Sequence, residues 1–126
     1  MPMKKIKVLI GNFGLDQHEM GGLYVSNLLR DAGMEVLYVG RFQTPEKILR
    51  TVIEEDIDVI GISCHSWEYL VYTPELIDLL QKNNLKVLVI LGGSVVLEKD
   101  KTKLGVYGIL GSGATDDEIV KCVKDA

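Results

Sequence analysis

The stretch Ile6-Lys7-Val8-Leu9-Ile10-Gly11-Asn12-Phe13-Gly14-Leu15-Asp16-Gln17-His18-Glu19-Met20-Gly21-Gly22, continued by Leu23 to Gly33, decides the expected fold. Ile6 to Ile10 is apolar and largely β-branched and ends at Gly11, the pattern of a buried strand closed by a turn. From about Gly21 to Ala32 the apolar residues Leu23, Val25, Leu28, Leu29 and Ala32 recur at helical spacing, and Gly33 supplies a C-terminal stop. The connection between the two, Gly11 to Gly22, runs about ten residues where two to six are usual, and such length points to function.

The strand-helix alternation then repeats. Glu35 to Val39 reads as a second strand, followed by Thr44 as N-cap, Pro45 as first helical residue, and Ile48, Leu49, Val52 and Ile53 on one helical stripe. A third strand, Ile57 to Ile62, leads to a helix expected to begin at Thr73-Pro74, to carry Leu76, Ile77, Leu79 and Leu80, and to close at Asn83-Asn84. A fourth strand, Lys86 to Leu91, ends in Gly92-Gly93 and precedes a short helix around Glu98 to Leu104. Val106 to Leu110 makes the fifth, and Thr115-Asp116-Asp117-Glu118 is a capping box for a last helix with Ile119, Val120 and Val123 facing inward. Alternation of this kind, with right-handed crossovers, predicts one α/β domain over residues 1–126: a doubly wound five-stranded parallel sheet of flavodoxin-like order 2-1-3-4-5. Ligands of such sheets bind beyond the carboxyl ends of the strands, where the strand order reverses.

Composition narrows the function. A 126-residue chain has room for one core, and 47% hydrophobic with 25% charged residues is a globular profile. Eighteen acidic against fourteen basic residues leave no basic surplus for a nucleic-acid backbone. Cys64 and Cys122 have neither disulfide-framework nor zinc-knuckle spacing, and the N-terminus has no apolar signal core, so a cytoplasmic setting without membrane association is expected.

Within the first loop Asp16 precedes His18 by two, close enough for its carboxylate to accept a ring N–H and leave the other nitrogen free to bind a metal. The same spacing suits a surface histidine in a loop, and the pair alone does not choose between them. A metal site built from His18, His65 and Cys64 has no dedicated ligand spacing. Gly92-Gly93 reads by itself as a turn, Ser63 as a strand-end cap, and Cys122 as helix packing. Trp67, Tyr69 and Tyr72 suit a protein interface or a helix-entry core.

Asp16-x-His18-x-x-Gly21 after a first strand resembles the signature of the cobalamin-binding domain of methylmalonyl-CoA mutase and its relatives. The likeness extends to Arg30-Asp31-Ala32-Gly33-Met34-Glu35-Val36, Gln43-Thr44-Pro45-Glu46, Asp58-Val59-Ile60-Gly61-Ile62-Ser63, Gly92-Gly93 and Gly111-Ser112-Gly113. The resemblance implies that His18 replaces the cofactor's own dimethylbenzimidazole as axial ligand to cobalt, with Asp16 holding its tautomer. It also implies that the nucleotide tail enters a slot beside the sheet, that Gly21 admits the corrin or its tail, and that Ser63 hydrogen-bonds the displaced base. Gly92, Gly93, Gly111, Ser112 and Gly113 would lie along the tail. One departure is Cys64-His65 after Ser63, where the family carries any residue and then leucine.

The resemblance implies the cobalamin-binding small subunit of an adenosylcobalamin-dependent acyl-CoA mutase. The cofactor carries the radical chemistry, while a separate barrel subunit binds the acyl-CoA, because this length cannot include a barrel. No catalytic residue is expected on this chain, and no activity from it alone. The alternative is a stand-alone corrinoid carrier or sensor; methyl carriers related to this domain bring an N-terminal helical cap, whereas here the first strand is expected to start by Lys5. A response-regulator-like domain would need an acidic cluster after the first strand and an aspartate after the third, where Gly11-Asn12 and Ser63-Cys64 stand. No Gly-x-Gly-x-x-Gly follows the first strand to support a dinucleotide site.

Overall fold

A computed structural model describes residues 5–13, 19–64, 67–97, 99–111 and 113–126. The strands are β1 (Lys7–Phe13), β2 (Glu35–Gln43), β3 (Val59–Ser63), β4 (Leu88–Gly93) and β5 (Gly108–Gly111); the helices are α1 (Glu19–Asp31), α2 (Pro45–Glu55), α3 (Tyr69–Lys82), α4 (Asp100–Leu104) and α5 (Asp116–Lys124). All strand pairs are parallel and the order is β2-β1-β3-β4-β5, the flavodoxin-like arrangement.

Alternation along the buried strands divides the core into two layers. Leu9, Ile60, Ile62, Val89 and Leu91 point to one face, where Ile48 and Val52 of α2, Leu76 and Leu80 of α3 and Leu104 of α4 cover them. Val8, Ile10, Val59 and Ile90 point to the other, beneath Leu29 of α1 and Ile119 and Val123 of α5. Local signals set the helix ends. Thr44 Oγ1 accepts from Lys47 N at 3.3 Å, and the Thr115–Glu118 capping box is closed in both directions. Gly33, at φ +92°, ends α1 where an L side chain would be strained.

The strands run further toward their carboxyl ends than their apolar patterns predict. β1 takes in Gly11, Asn12 and Phe13, so only residues 14–18 separate it from α1, and the unusual loop length inferred from sequence is not there. β2 continues past Val39 to Gln43 because Gly40, at φ +76°, takes up a bulge against β1. β3 and β4 likewise extend through Ser63↔Gly92, and β4 and β5 through Gly93↔Gly111. Glycines read as turns are thus ladder residues.

Two helix assignments change. α3 starts at Tyr69 rather than Thr73-Pro74, nucleated by the turn in which Leu70 N donates to Trp67 O and Tyr72 N to Glu68 O, so Pro74 lies inside the helix. The apolar stripes are also narrower than expected: Leu23 and Ile53 are exposed, and Val120 is only half-buried. Glu98, the expected start of α4, lies outside the described residues.

Pro74 deprives the Leu70 carbonyl of its helical partner. Pro74→Ala should therefore stabilise the chain by about 1–2 kcal/mol, the gain being smaller than a helix-interior proline costs because the unfolded chain also gains freedom. Urea unfolding measures this; an unchanged or lower midpoint would mean that the helix begins at residue 73.

Candidate functional site

On the face covered by α1 and α5, register places Ile10, Gly61, Ile90 and Gly108 in one row across the sheet. The next row toward the carboxyl ends contains Ser63, Gly92 and Leu110. Gly61, Gly92 and Gly108 therefore leave gaps between the side chains of the floor where the strands approach their ends. Ile10 spreads sideways over Gly61, whose Cβ would come within 2.7 Å of Ile10 Cδ1. Gly22 of α1 and Gly111 of β5 also bare their backbones.

The result is a cavity of about 300 Å³ between the floor and the two helices. Its walls are Gly22, Tyr24, Val25 and Leu29 on the α1 side and Ala114, Ile119 and Val123 on the α5 side; Ser63 and Tyr24 bring hydroxyls to its lining. A preformed, mostly apolar slot with few polar groups suits a flat, largely apolar ligand segment.

The loops at the slot's end are locked to each other. Cys64 N donates to Gly92 O at 2.6 Å, and Gly93, at φ +129°, presses so closely that a Cβ there would sit 1.9 Å from the Cys64 carbonyl oxygen. Only glycine can occupy that position. The chain after Gly93 is held from the opposite face: Tyr69 Oη donates to Asp100 Oδ2 at 2.9 Å with the Val95 carbonyl at 3.3 Å, and Leu97 N donates to the same Oδ2 at 3.1 Å. Both Tyr69 and Asp100 are buried. Burial, and then the hydrogen bond to Asp100 and its charge, push the Tyr69 phenol up to about 12. From β1, buried Asn12 donates through Nδ2 to the Ser63 carbonyl at 3.2 Å.

Of the residues singled out from sequence, Ser63, Gly92, Gly93 and Gly111 come together on the slot. Gly21 lies in the first turn of α1, and its neighbour Gly22 is on the slot wall. Gly113 is an exposed turn glycine with open space around it. Asp16, His18, His65 and Ser112 lie outside the described residues. The Cys64 thiol points away from the slot into the core beneath α2 and α3, donating to Ile62 O at 3.5 Å. The aromatic trio divides: Tyr69 is core, Tyr72 packs edge-on against Phe13 at 5.4 Å, and Trp67 is 67% exposed. Cys122 packs near Gly108, and burial first of all raises its thiol. Sequence reasoning missed Asn12, Gly22, Gly61 and Tyr24; a glycine interrupting an apolar strand, as Gly61 does, is the signal that marks a bared sheet face. Among the described residues no cluster of metal-ligating side chains and no helix long and apolar enough to cross a membrane occurs.

Fold and slot together define a cobalamin-binding domain: residues 6–121 match the model of the B12 binding domain, and the chain belongs to that family. Within it, this is a domain of the acyl-CoA mutase type. It is 35% identical over 127 aligned positions to the 2-hydroxyisobutanoyl-CoA mutase small subunit of Aquincola tertiaricarbonis, covering 98% of this chain and 93% of that one. The pivalyl-CoA mutase small subunit of Xanthobacter autotrophicus is 37% identical, with 95% and 82% covered. Among solved structures, a cobalamin-binding protein from Desulfitobacterium hafniense superposes with a TM-score of 0.86 at 23% identity, over 98% of this chain and 60% of that one, a likeness of fold.

Two substitutions test how the slot's end is held. Gly93→Ala should cost about 3 kcal/mol or more, because strain at positive φ adds to collision with the Cys64 backbone; tolerance within 1 kcal/mol in denaturant unfolding would contradict that packing. Tyr69→Phe should cost about 1–3 kcal/mol at neutral pH by leaving buried Asp100 short of a donor. The folded state favours the neutral phenol, so Tyr69's contribution is complete below pH 10 and is lost as pH rises toward 12. The stability difference between wild type and Tyr69→Phe should shrink across that window; a constant difference would exclude the linkage.

Proposed function

We propose that this chain is the cobalamin-binding small subunit of an adenosylcobalamin-dependent acyl-CoA mutase, with His18 as lower axial ligand to cobalt and a separate barrel subunit as the site of the acyl-CoA. The observation that carries this reading is the glycine-floored slot between α1, α5 and the sheet. Its volume, its mostly apolar walls and the Ser63 hydroxyl on its lining fit the nucleotide tail of a corrinoid whose base has left the metal. Support also comes from relatives that are themselves small subunits of about this length.

When bound, the cofactor supplies a cobalt–carbon bond whose homolysis begins a radical carbon-skeleton rearrangement. The chain's own residues bind and orient. Val25, Leu29, Ile119 and Val123 enclose the tail and exclude water from it, and Ser63 offers its hydroxyl to the base. Gly92, Gly93 and Gly111, on the slot's lining, would offer backbone N–H groups to ribose and phosphate oxygens, with Ser112 and Gly113 the further candidates next along the chain. His18 belongs to the segment joining Phe13, at the carboxyl end of β1, to Glu19, at the start of α1. The carboxyl end of β1, where the strand order reverses between β1 and β3, is the place ligands take in this fold. Asp16 would accept the other ring N–H and raise the histidine's donor strength. Proton transfer and substrate recognition fall to the partner subunit.

The test is reconstitution of wild type and His18→Ala with cobalamin, followed by electron paramagnetic resonance of the Co(II) form. The expected result is histidine nitrogen coupling in wild type, lost in the variant, and mutase turnover only when a large barrel subunit is supplied. An unchanged spectrum in His18→Ala would refute the ligand. Methyl exchange with a methyltransferase and no turnover with any barrel subunit would replace the mutase reading with that of a corrinoid carrier.

A further inference from the structure

We infer that Tyr24 and Asp116 form a clasp across the mouth of the slot that sets how long a corrinoid tail is retained. This rests on the reading of the slot as the tail site. α1 and α5 stand on the same face of the sheet and form its two walls. Tyr24, from the wall of α1, also lines the cavity, and its phenol Oη donates to Asp116 Oδ1 at 2.5 Å across 92 residues of sequence.

Both partners are suited to this task. Asp116 is the first residue of α5, directly after the Thr115 cap, so its carboxylate sits at the positive end of the helix dipole. An ionised acceptor makes the stronger kind of hydrogen bond. The bond to Asp116 raises the Tyr24 phenol above its ordinary value, as expected of a donor to a carboxylate. Below the clasp the walls are aliphatic, with Val25 and Leu29 facing Ile119 and Val123. Aliphatic walls hold a ligand by shape and by exclusion of water, so its escape depends on how readily they part. Tyr24–Asp116 is a polar tie between them. A tyrosine 54% exposed in the free chain has one side to present to water and one to present to an occupant.

Tyr24 and Asp116 are therefore positioning residues for the tail, distinct from any ligand to cobalt. The experiment measures release of adenosylcobalamin from the full chain after mixing with an excess of a scavenging cobalamin-binding protein. It compares wild type, Tyr24→Phe, Asp116→Asn and the double variant. Adenosylcobinamide, which lacks the nucleotide tail, is measured in parallel. Each single variant should release adenosylcobalamin about three- to tenfold faster, the double variant no faster than the singles, and adenosylcobinamide should leave all four at one rate. Unchanged adenosylcobalamin release overturns the clasp, as do additive effects in the double variant or equal acceleration of the tail-less corrinoid. Failure of the wild-type chain to bind adenosylcobalamin at all would overturn the tail-site reading itself, whereas binding with indifferent variants would overturn the clasp alone.

Discussion

On one face of the sheet glycines interrupt the side chains, and the site follows from that. Where β3 and β4 end beneath α1 and α5, the row Ser63-Gly92-Leu110 lies next to a row interrupted by Gly61 and Gly108. The helices do not settle fully over these glycines, so an apolar slot, lined also by Val8, Val59 and Ile90, stays open between the sheet and α1 and α5. On the opposite face Ile60, Ile62, Val89 and Leu91 meet α2 and α3 in a continuous core. Stability and binding are thus assigned to different faces of the same strands.

The bared face needs rigid edges, and hydrogen bonding supplies them. Gly93 locks against the Cys64 backbone, while Tyr69 and Asp100 tie the chain beyond β4 to α3 from below. Asn12 bridges β1 to the end of β3 at the point where strand order reverses. Few polar groups face the slot itself. Such a site suits a protein that holds a cofactor and leaves reaction chemistry to the cofactor and a partner.

The layered architecture was legible because each element carries its own period: apolar runs for buried strands, Thr44-Pro45 and the Thr115–Glu118 box for helix starts, Gly33 for a stop. Sequence misled where one residue type serves two geometries. The second strand was expected to stop at Val39 but runs on through a bulge at Gly40; Gly11 and Gly92 looked like turns and are ladder residues; Pro74 looked like a first-turn proline and sits inside α3. Leu23 and Ile53 obeyed the helical period yet are exposed, because spacing does not say how wide a stripe its neighbours can cover. For the site, Ser63, Gly92, Gly93 and Gly111 were found through family resemblance, but the bare floor needed the register, since Gly61 joins Ser63 and Gly92 only when the strands are paired. Tyr24 and Asp116, far apart in sequence, could not have been paired without the fold.

The central claim is that this slot receives the cofactor's nucleotide tail. It is tested most directly by methyl-resolved NMR of the chain titrated with adenosylcobalamin. The expected result is large shifts of the Val25, Ile119 and Val123 methyls, saturating at one equivalent, with the Ile48 and Leu76 methyls across the sheet nearly unmoved. Binding that leaves the slot methyls in place, or shifts both faces alike, would contradict it.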